Sequence, residues 1–182
     1  MINQVLLLVL VGLSDPRELS LFVGTGYLAS PGANGNAVST GIRLRTGHAA
    51  LSFDLGYGLL STRVGKQDRW WLIPAAAVVI PAGPVTFDLG AGVGLGTSSG
   101  FSSFKDWSND RTTWEFQLIP AARAHAVTTL KLTDSFELFV RLDVASLLLD
   151  RNSAGFQTRR INPGISETVW IHLWVGGQFR LL

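Results

Sequence analysis

A strict two-residue alternation between Val85 and Gly96 is the feature that most constrains the fold of this chain. One set of alternate positions is apolar, and the other set holds Thr86, Asp88 and four glycines. Because successive side chains of a strand point to opposite faces, this period predicts a strand with one apolar face and one small or polar face. A helix is excluded, since each interior glycine would cost it about 1 kcal/mol relative to Ala.

The same alternation recurs along the chain and predicts eight strands. They lie within Leu19–Ala29, Val38–Thr46, Ala49–Leu59, Trp70–Ile80, Val85–Gly96, Trp114–Ala126, Phe136–Val144 and Ile171–Leu181. Each is close to the length of about 9–11 residues that a tilted strand needs to cross a bilayer. A Phe-Asp-Leu-Gly-x-Gly sequence occurs at 53–58 and again at 87–92, which indicates either a duplicated hairpin or one structural constraint that is met twice.

The connections between these strands alternate in length. Short connections fall at Thr46–His48, Pro81–Pro84 and Val127–Asp134, and longer polar ones at Ser30–Ala37, Ser61–Arg69, Thr97–Arg111 and Leu149–Thr168. Such alternation is typical of an up-and-down barrel, which has short turns at one end and long loops at the other. We therefore predict an all-β fold, an eight-stranded antiparallel up-and-down transmembrane β-barrel.

Alternation alone leaves open which face is outside. In a soluble, lipocalin-like ligand-binding barrel the apolar face would fill the interior, and the exterior would be mostly glycine with few charges. Charged residues make up only 15% of the 182 residues, so that exterior would be a poor solubilising surface. A membrane barrel with its large apolar residues toward lipid is favoured.

The membrane orientation places a polar network in the lumen, in which Arg141 and Glu137 are expected to be partners. Its predicted members are Arg43, Asp54, Asp88, Glu115, Arg123, His125, Glu137, Arg141, Asp143 and His172. Aromatic residues near strand ends are expected at the membrane–water interfaces, where amphipathic rings collect. These are Tyr27, Trp70, Trp71, Trp114, Trp170 and Phe179.

The last strand carries a short motif, Gly-x-x-aromatic-x-hydrophobic, which reads Gly176-Gly177-Gln178-Phe179-Arg180-Leu181. With this motif and the strand pattern, residues 18–182 resemble the small eight-stranded outer-membrane barrels of Gram-negative bacteria, of the OmpA and OmpX kind. The resemblance implies a bacterial outer-membrane location, with the lipid bilayer and the barrel-assembly machinery as partners. It also implies that Gly176, Phe179 and Leu181 form the assembly signal. The chain departs from the motif by ending in Leu182 and by placing Trp174 where a polar residue is preferred.

Residues 1–17 contain an apolar run, Val5–Leu13, that is similar to the core of a secretory signal peptide. No basic residue precedes the run, and no small-x-small cleavage site follows it. The alternative is a buried first strand or another core segment. We predict a signal-peptide-like segment at 1–17 and a single barrel domain at 18–182.

The sequence predicts no catalytic, metal or cofactor site. Its three histidines lack a His-x-His or His-x₃-His spacing that would favour metal binding. Some barrels of the resembled group are lipid A enzymes. A deacylase of that group has a His-x-Ser pair on one strand, whereas this chain reads His125-Ala126-Val127. A net charge of +2 gives no support to nucleic-acid binding.

The predicted function is that of a non-enzymatic outer-membrane barrel with a structural or surface-contact role through its long loops. Those loops carry eight basic and five acidic residues, and this mild excess is suited to lipopolysaccharide phosphates. Phe101, Phe104 and Trp107 in one loop are candidates for a contact surface. Two alternatives are a narrow conduit for small hydrophobic molecules and the soluble ligand-binding barrel.

Overall fold

A computed structural model of the chain describes residues 17–30, 33–62, 65–106, 109–147 and 169–182. They form one closed antiparallel barrel in which each strand pairs with its neighbours in sequence and the last pairs with the first. The strands are β1 (Arg17–Ser30), β2 (Ala33–Thr46), β3 (Ala49–Thr62), β4 (Gly65–Ala82), β5 (Val85–Asp106), β6 (Asn109–Lys131), β7 (Phe136–Leu147) and β8 (Val169–Arg180). The predicted eight-stranded up-and-down barrel is confirmed. The described residues include no helix long and apolar enough to cross a membrane.

The stagger of the strands gives this barrel a shear number of ten. A path of directly opposite residues starts at Leu19, runs once around the barrel and returns to the same strand at Ala29, ten residues further along. The path passes through Leu44, Leu51, Ala76, Ala91, Ala124, Val144 and Ile171. Because shear and strand number together fix the tilt and radius of a barrel, the lumen is narrow.

Two of the short turns are built on glycine. Gly47 and Gly83 have φ values of +50° and +65°, and each is followed by a residue with negative φ, His48 or Pro84. This is the pattern of a type II′ turn, which matches the twist of a hairpin. In the third turn the hydroxyl of Thr133 accepts hydrogen bonds from the backbone N–H groups of Ser135 and Phe136, at 3.3 and 3.0 Å.

The expected long connections are shorter than predicted. The strands leave only residues 31–32, 63–64 and 107–108 between them where loops of 8, 9 and 15 residues were expected at Ser30–Ala37, Ser61–Arg69 and Thr97–Arg111. The physical reason is that backbone hydrogen bonds continue a hairpin ladder after the apolar alternation has ended. The fourth expected loop, 149–168, lies outside the described residues, as does the signal-peptide-like run Val5–Leu13.

The β5–β6 hairpin extends beyond its neighbours. Its pairing continues to Asp106 and Asn109, whereas β4 pairs with β5 no further than Gly100 and β7 pairs with β6 only from Ala121 onward. Pro120, which cannot donate a backbone hydrogen bond, lies immediately before the first of those β7 pairs. Proline is tolerated there because that edge of β6 has no described partner strand.

Candidate functional site

The outer surface of the barrel is apolar. Large aliphatic side chains of every strand point outward, with Leu89 59%, Val140 50% and Ile171 53% exposed. The charged residues at the alternate strand positions point into the lumen, where Asp54 and Asp143 are fully buried. The faces are therefore those of the membrane orientation, and the soluble orientation with an apolar cavity is wrong.

Outward threonines on β1 and β2 satisfy their hydroxyls within the barrel wall. The hydroxyl of Thr40 donates to the carbonyl oxygen of Phe22 at 3.0 Å, and that of Thr25 donates to the carbonyl oxygen of Ala37 at 3.3 Å. Lipid offers no hydrogen-bond partner, so these bonds allow polar residues on an otherwise apolar face.

Three of the predicted interface aromatics point outward. Tyr27, Trp70 and Phe179 are each about half exposed. Trp70 is joined by Tyr57, whose ring centroid lies 4.5 Å away and whose hydroxyl donates to Asp68 at 3.0 Å. Phe179 lies at the other end of the barrel, 4.9 Å from the ring of Phe136.

The assignments of Trp71 and Trp170 to the membrane interface are wrong. Both side chains are buried in the lumen, at 8% and 3% exposure. Trp71 follows Trp70 directly and must face the other side of its strand, and Trp170 shares its parity with the inward His172. The guanidinium of Arg69, expected in a loop, lies 3.6 Å from the centroid of the Trp170 ring. The side chains of Trp114 and Glu115 lie outside the described part of the molecule.

Six lumen residues from five strands form what we name the central cluster. They are Ser39, Asp54, Arg123, Arg141, Asp143 and His172. Asp54 accepts hydrogen bonds from Ser39 and Arg141, both at 2.6 Å, and a further one from Arg123. Asp143 lies 3.2 Å from Nε of Arg141 and accepts a hydrogen bond from the indole of Trp174 at 2.9 Å.

A second group lies at the short-turn end of the lumen, and we name it the mouth ring: Glu18, Arg45, Glu137 and Arg180. Arg180 lies 3.1 Å from a carboxylate oxygen of Glu18 and 3.3 Å from one of Glu137, and Arg45 pairs with the same two acids. The mouth ring closes one end of the lumen with alternating charges.

Gln178, Arg43 and Asp88 lie next to the mouth ring inside the lumen. Gln178 donates to Glu137 at 2.9 Å and to Ser20 at 3.3 Å, and it accepts a hydrogen bond from Arg43 at 3.2 Å. Arg43 also pairs with Asp88. These bonds extend the polar contacts of the mouth ring from β1, β2, β7 and β8 to β5.

The expected pairing of Arg141 with Glu137 is wrong. Arg141 belongs to the central cluster and Glu137 to the mouth ring. The two residues are four positions apart on β7, about 13 Å along an extended strand. Strand parity gives the face of each residue, whereas the partner across the lumen depends on the tilt and stagger of the other strands.

Sequence reasoning placed His125 in the lumen but missed the Phe and Trp rings inside the barrel. Each of five inward rings lies directly opposite a glycine on a neighbouring strand: Phe22 with Gly41, Trp71 with Gly56, His125 with Gly90, Phe139 with Gly176 and Trp174 with Gly26. A Cβ added to any of these glycines would overlap the ring. The signal was present in the sequence, because the glycines share the inward parity of the rings.

Two small spaces lie within the described lumen. A cavity of about 40 Å³ is lined by Arg43, Asp88, His125 and Phe139, and one of about 30 Å³ by Leu28, Trp71 and Trp170; Arg123 lines both. Each has room for no more than a few water molecules. A wider vestibule of about 480 Å³ opens beyond the mouth ring at the short-turn end. The described residues contain no group of three or more potential metal ligands.

Solved structures of bacterial proteins share this architecture. A major outer membrane protein from Thermus thermophilus superimposes with a TM-score of 0.61 at 14% identity, covering 92% of this chain and 100% of that one. Neisserial surface protein A gives 0.59 at 12% identity, covering 90% and 95%. The chain has the fold of the small outer-membrane β-barrels.

A third barrel with this fold was solved with a ligand. Ail, the attachment invasion locus protein of Yersinia pestis, in complex with the heparin analogue sucrose octasulfate, gives a TM-score of 0.53 at 11% identity, covering 91% of this chain and 97% of that one. No protein-family model matches the sequence, and no curated protein is similar to it.

The residues of the predicted assembly signal lie on and just beyond β8. Gly176 faces inward under the ring of Phe139, and Phe179 faces outward. Leu181 is half exposed, and its backbone N–H donates to the carbonyl oxygen of Leu19 at 2.7 Å. Recognition of these residues by the assembly machinery stays a prediction.

Proposed function

We propose that this chain is a non-enzymatic β-barrel protein of the bacterial outer membrane that acts through its surface. The observation that carries the proposal is the apolar exterior of a closed barrel. Lipid accepts such a surface because adjacent strands of a closed barrel satisfy one another's backbone polar groups. The shortest described strands, β7 and β8, have 12 residues, enough for the span of about 9–11 residues that a tilted strand requires.

The filled lumen favours a surface role over transport. Two layers of ion pairs, the central cluster and the mouth ring, lie across the path of a solute, and the spaces between them hold a few waters at most. The conduit for small hydrophobic molecules therefore has no described passage to support it.

Fractionation tests the location. Membranes of cells that express the full chain are washed with alkaline carbonate, extracted with detergent and separated on a density gradient. We expect the protein in the outer-membrane fraction, released only by detergent and migrating differently on a gel before and after boiling. Recovery in the soluble fraction, or with inner-membrane markers, would contradict the proposal.

Lipopolysaccharide phosphates are the proposed surface partner. Arg69 packs on the ring of Trp170 in the lumen, and Asp68 accepts a hydrogen bond from Tyr57. Without these two residues the predicted long connections carry seven basic residues against four acidic ones: Arg63, Lys66, Lys105, Arg111, Arg151, Arg159 and Arg160, against Asp106, Asp110, Asp150 and Glu167. Basic groups bind phosphate through charge-assisted hydrogen bonds.

A matched pair of variants tests this partner. Reversing charge at the extended hairpin, with Lys105→Glu and Arg111→Glu, is expected to weaken binding to lipopolysaccharide vesicles roughly tenfold at low salt. Lys131→Glu at the short-turn end is the control and should leave binding unchanged. Equal binding by all variants, or equal binding to vesicles of neutral phospholipid, would reject lipopolysaccharide as the partner.

A further inference from the structure

The seam between β1 and β8 is where the barrel closes, and strand alternation alone does not fix its register. Ten residue pairs form the seam, from Ser20 with Arg180 to Ala29 with Ile171. Because side chains alternate with a period of two, a slip of two residues keeps each of them on its own face. Such a slip would change the shear number from ten to eight or twelve and the barrel radius by roughly a tenth.

Trp174, together with Phe22, distinguishes the observed register from both slipped ones. It is fully buried and lies directly opposite Gly26, against which its ring packs. A slip in one direction would place the buried ring of Phe22 opposite Gly176, against which the ring of Phe139 already packs. A slip in the other direction would place Trp174 opposite Leu28, whose side chain is buried in the lumen. Either slip creates a steric conflict in a lumen without spare volume.

Polar contacts of the mouth ring cross the same seam. Arg180 on β8 reaches Glu18 on β1, and Gln178 on β8 donates to Ser20 on β1. The carboxylate of Glu137 on β7 joins Arg180 to Arg45 on β2. A displaced β1 would separate Glu18 from Arg180 and Arg45 from Glu137, and so break the ion pairs that cross the seam.

We propose that the buried rings of Trp174 and Phe22 and the ion pairs of the mouth ring form a register lock, which closes the barrel at shear ten and excludes shear eight and twelve. The lock concerns how the chain closes on itself and goes beyond the proposed surface role. A protein with a different surface role would still need it.

Engineered cysteine pairs report the register, because the chain has no cysteine of its own. Val175→Cys is combined with Thr25→Cys, which is directly opposite in the observed register. It is also combined with Val23→Cys or Tyr27→Cys, which become opposite after a slip in one direction or the other. A disulfide forms only where the Cα atoms are within about 7 Å, and diagonal neighbours lie beyond that distance, at about 7–8 Å. All four positions face outward, away from the lock.

In the otherwise unchanged chain, only the Thr25–Val175 pair is expected to oxidise in full-length protein refolded into detergent. With Trp174→Leu and Arg180→Leu together, we expect a slipped pair to oxidise at a yield roughly tenfold above its background. Lys131→Gln, which removes an exposed pair with Asp134 at the same end, is the control and should retain the observed register.

If the doubly substituted chain does not insert into detergent, less drastic variants test the register lock. Trp174→Leu and Arg180→Leu are then tested singly, and a slipped cross-link in either supports the lock. Arg180→Lys, which keeps the positive charge between Glu18 and Glu137, should retain the Thr25–Val175 yield that Arg180→Leu lowers. Exclusive oxidation of the Thr25–Val175 pair in every lock variant would overturn the proposal.

Discussion

Asp54 is the residue on which the central cluster depends. Its carboxylate is fully buried and accepts hydrogen bonds from Ser39 and from two arginines. We expect Asp54→Leu to lower the free energy of unfolding by about 3–5 kcal/mol, since it leaves buried guanidinium groups without their counterion. Urea unfolding in detergent micelles measures this change. Asp134→Asn, in the exposed turn before β7, is the control and should shift the midpoint little.

A double-variant cycle tests how the lumen is divided. Asp54→Asn and Arg141→Met remove two partners of one contact, so their combined cost should be clearly less than the sum of the single costs. Glu137→Gln and Arg141→Met belong to the mouth ring and the central cluster, so their costs should add within about 0.5 kcal/mol. Strong coupling between Glu137 and Arg141, with none between Asp54 and Arg141, would contradict the described geometry.

At the scale of single residues, the sequence predicted the face of a side chain and missed its partner. Arg43, Asp54, Asp88 and Asp143 were assigned to the lumen from strand parity, and each is buried there. The interface prediction for Trp71 is wrong because the parity of a residue, and not its distance from the strand end, determines which face its side chain occupies. Partners across the lumen depend on stagger, which local alternation does not encode.

At the scale of strand pairs, glycines make room for rings. A Cβ at Gly56 would overlap the indole of Trp71, whereas the nearest atom to a Cβ at Gly58 is a methyl carbon of Leu28 at 3.3 Å. We expect Gly56→Ala to destabilise the barrel by about 1–3 kcal/mol through overpacking, and Gly58→Ala to cost less. Urea unfolding measures both. Because Trp71→Leu removes the ring, Gly56→Ala should cost markedly less in that background; an unchanged cost would show that the clash lies elsewhere.

The outward face of a strand is defined by its contact with lipid. Leu89→Arg on β5 is expected to cost about 2–4 kcal/mol, as arginine does near the bilayer midplane. The matched control is Leu132→Arg, since Leu132 is about as exposed but lies in the turn after β6. Gel migration before and after boiling reports insertion into vesicles. Normal insertion of Leu89→Arg, or equal damage by the two variants, would refute the orientation of this face.

Strand existence and face were predictable from period two, but strand ends were not. The β5 strand was predicted to stop near Gly96, where the glycine alternation ends, yet its backbone pairing continues to Asp106. Hydrogen bonds of a hairpin ladder require only an extended partner chain, so a polar sequence does not by itself end a strand.

The radius of the whole molecule and the contents of its lumen determine each other. Eight strands at shear ten leave room for side chains and no open bore, and the described lumen is filled by five ring–glycine pairs and two ion-pair groups. The shear number was out of reach from sequence, because it is the sum of eight registers around the barrel. The glycine positions are compatible with it, since in the observed registers each of the five rings lies directly opposite a glycine.

The filled lumen predicts a barrel that does not conduct ions. In planar bilayers we expect no unitary conductance from the unsubstituted protein, because Arg123 separates the two small cavities and its partner Asp54 anchors it there. Asp54→Ser combined with Arg123→Ser removes one charge of each sign, leaves Arg141 paired with Asp143 and joins the two cavities, so brief openings should follow. Arg45→Ser with Glu18→Ser opens only the mouth ring and should show no conductance, since the central cluster remains.

Steady conductance from the unsubstituted barrel would refute the closed lumen. An inserted Asp54→Ser/Arg123→Ser variant that does not conduct would show that the ring–glycine pairs, and not the central cluster, block the lumen.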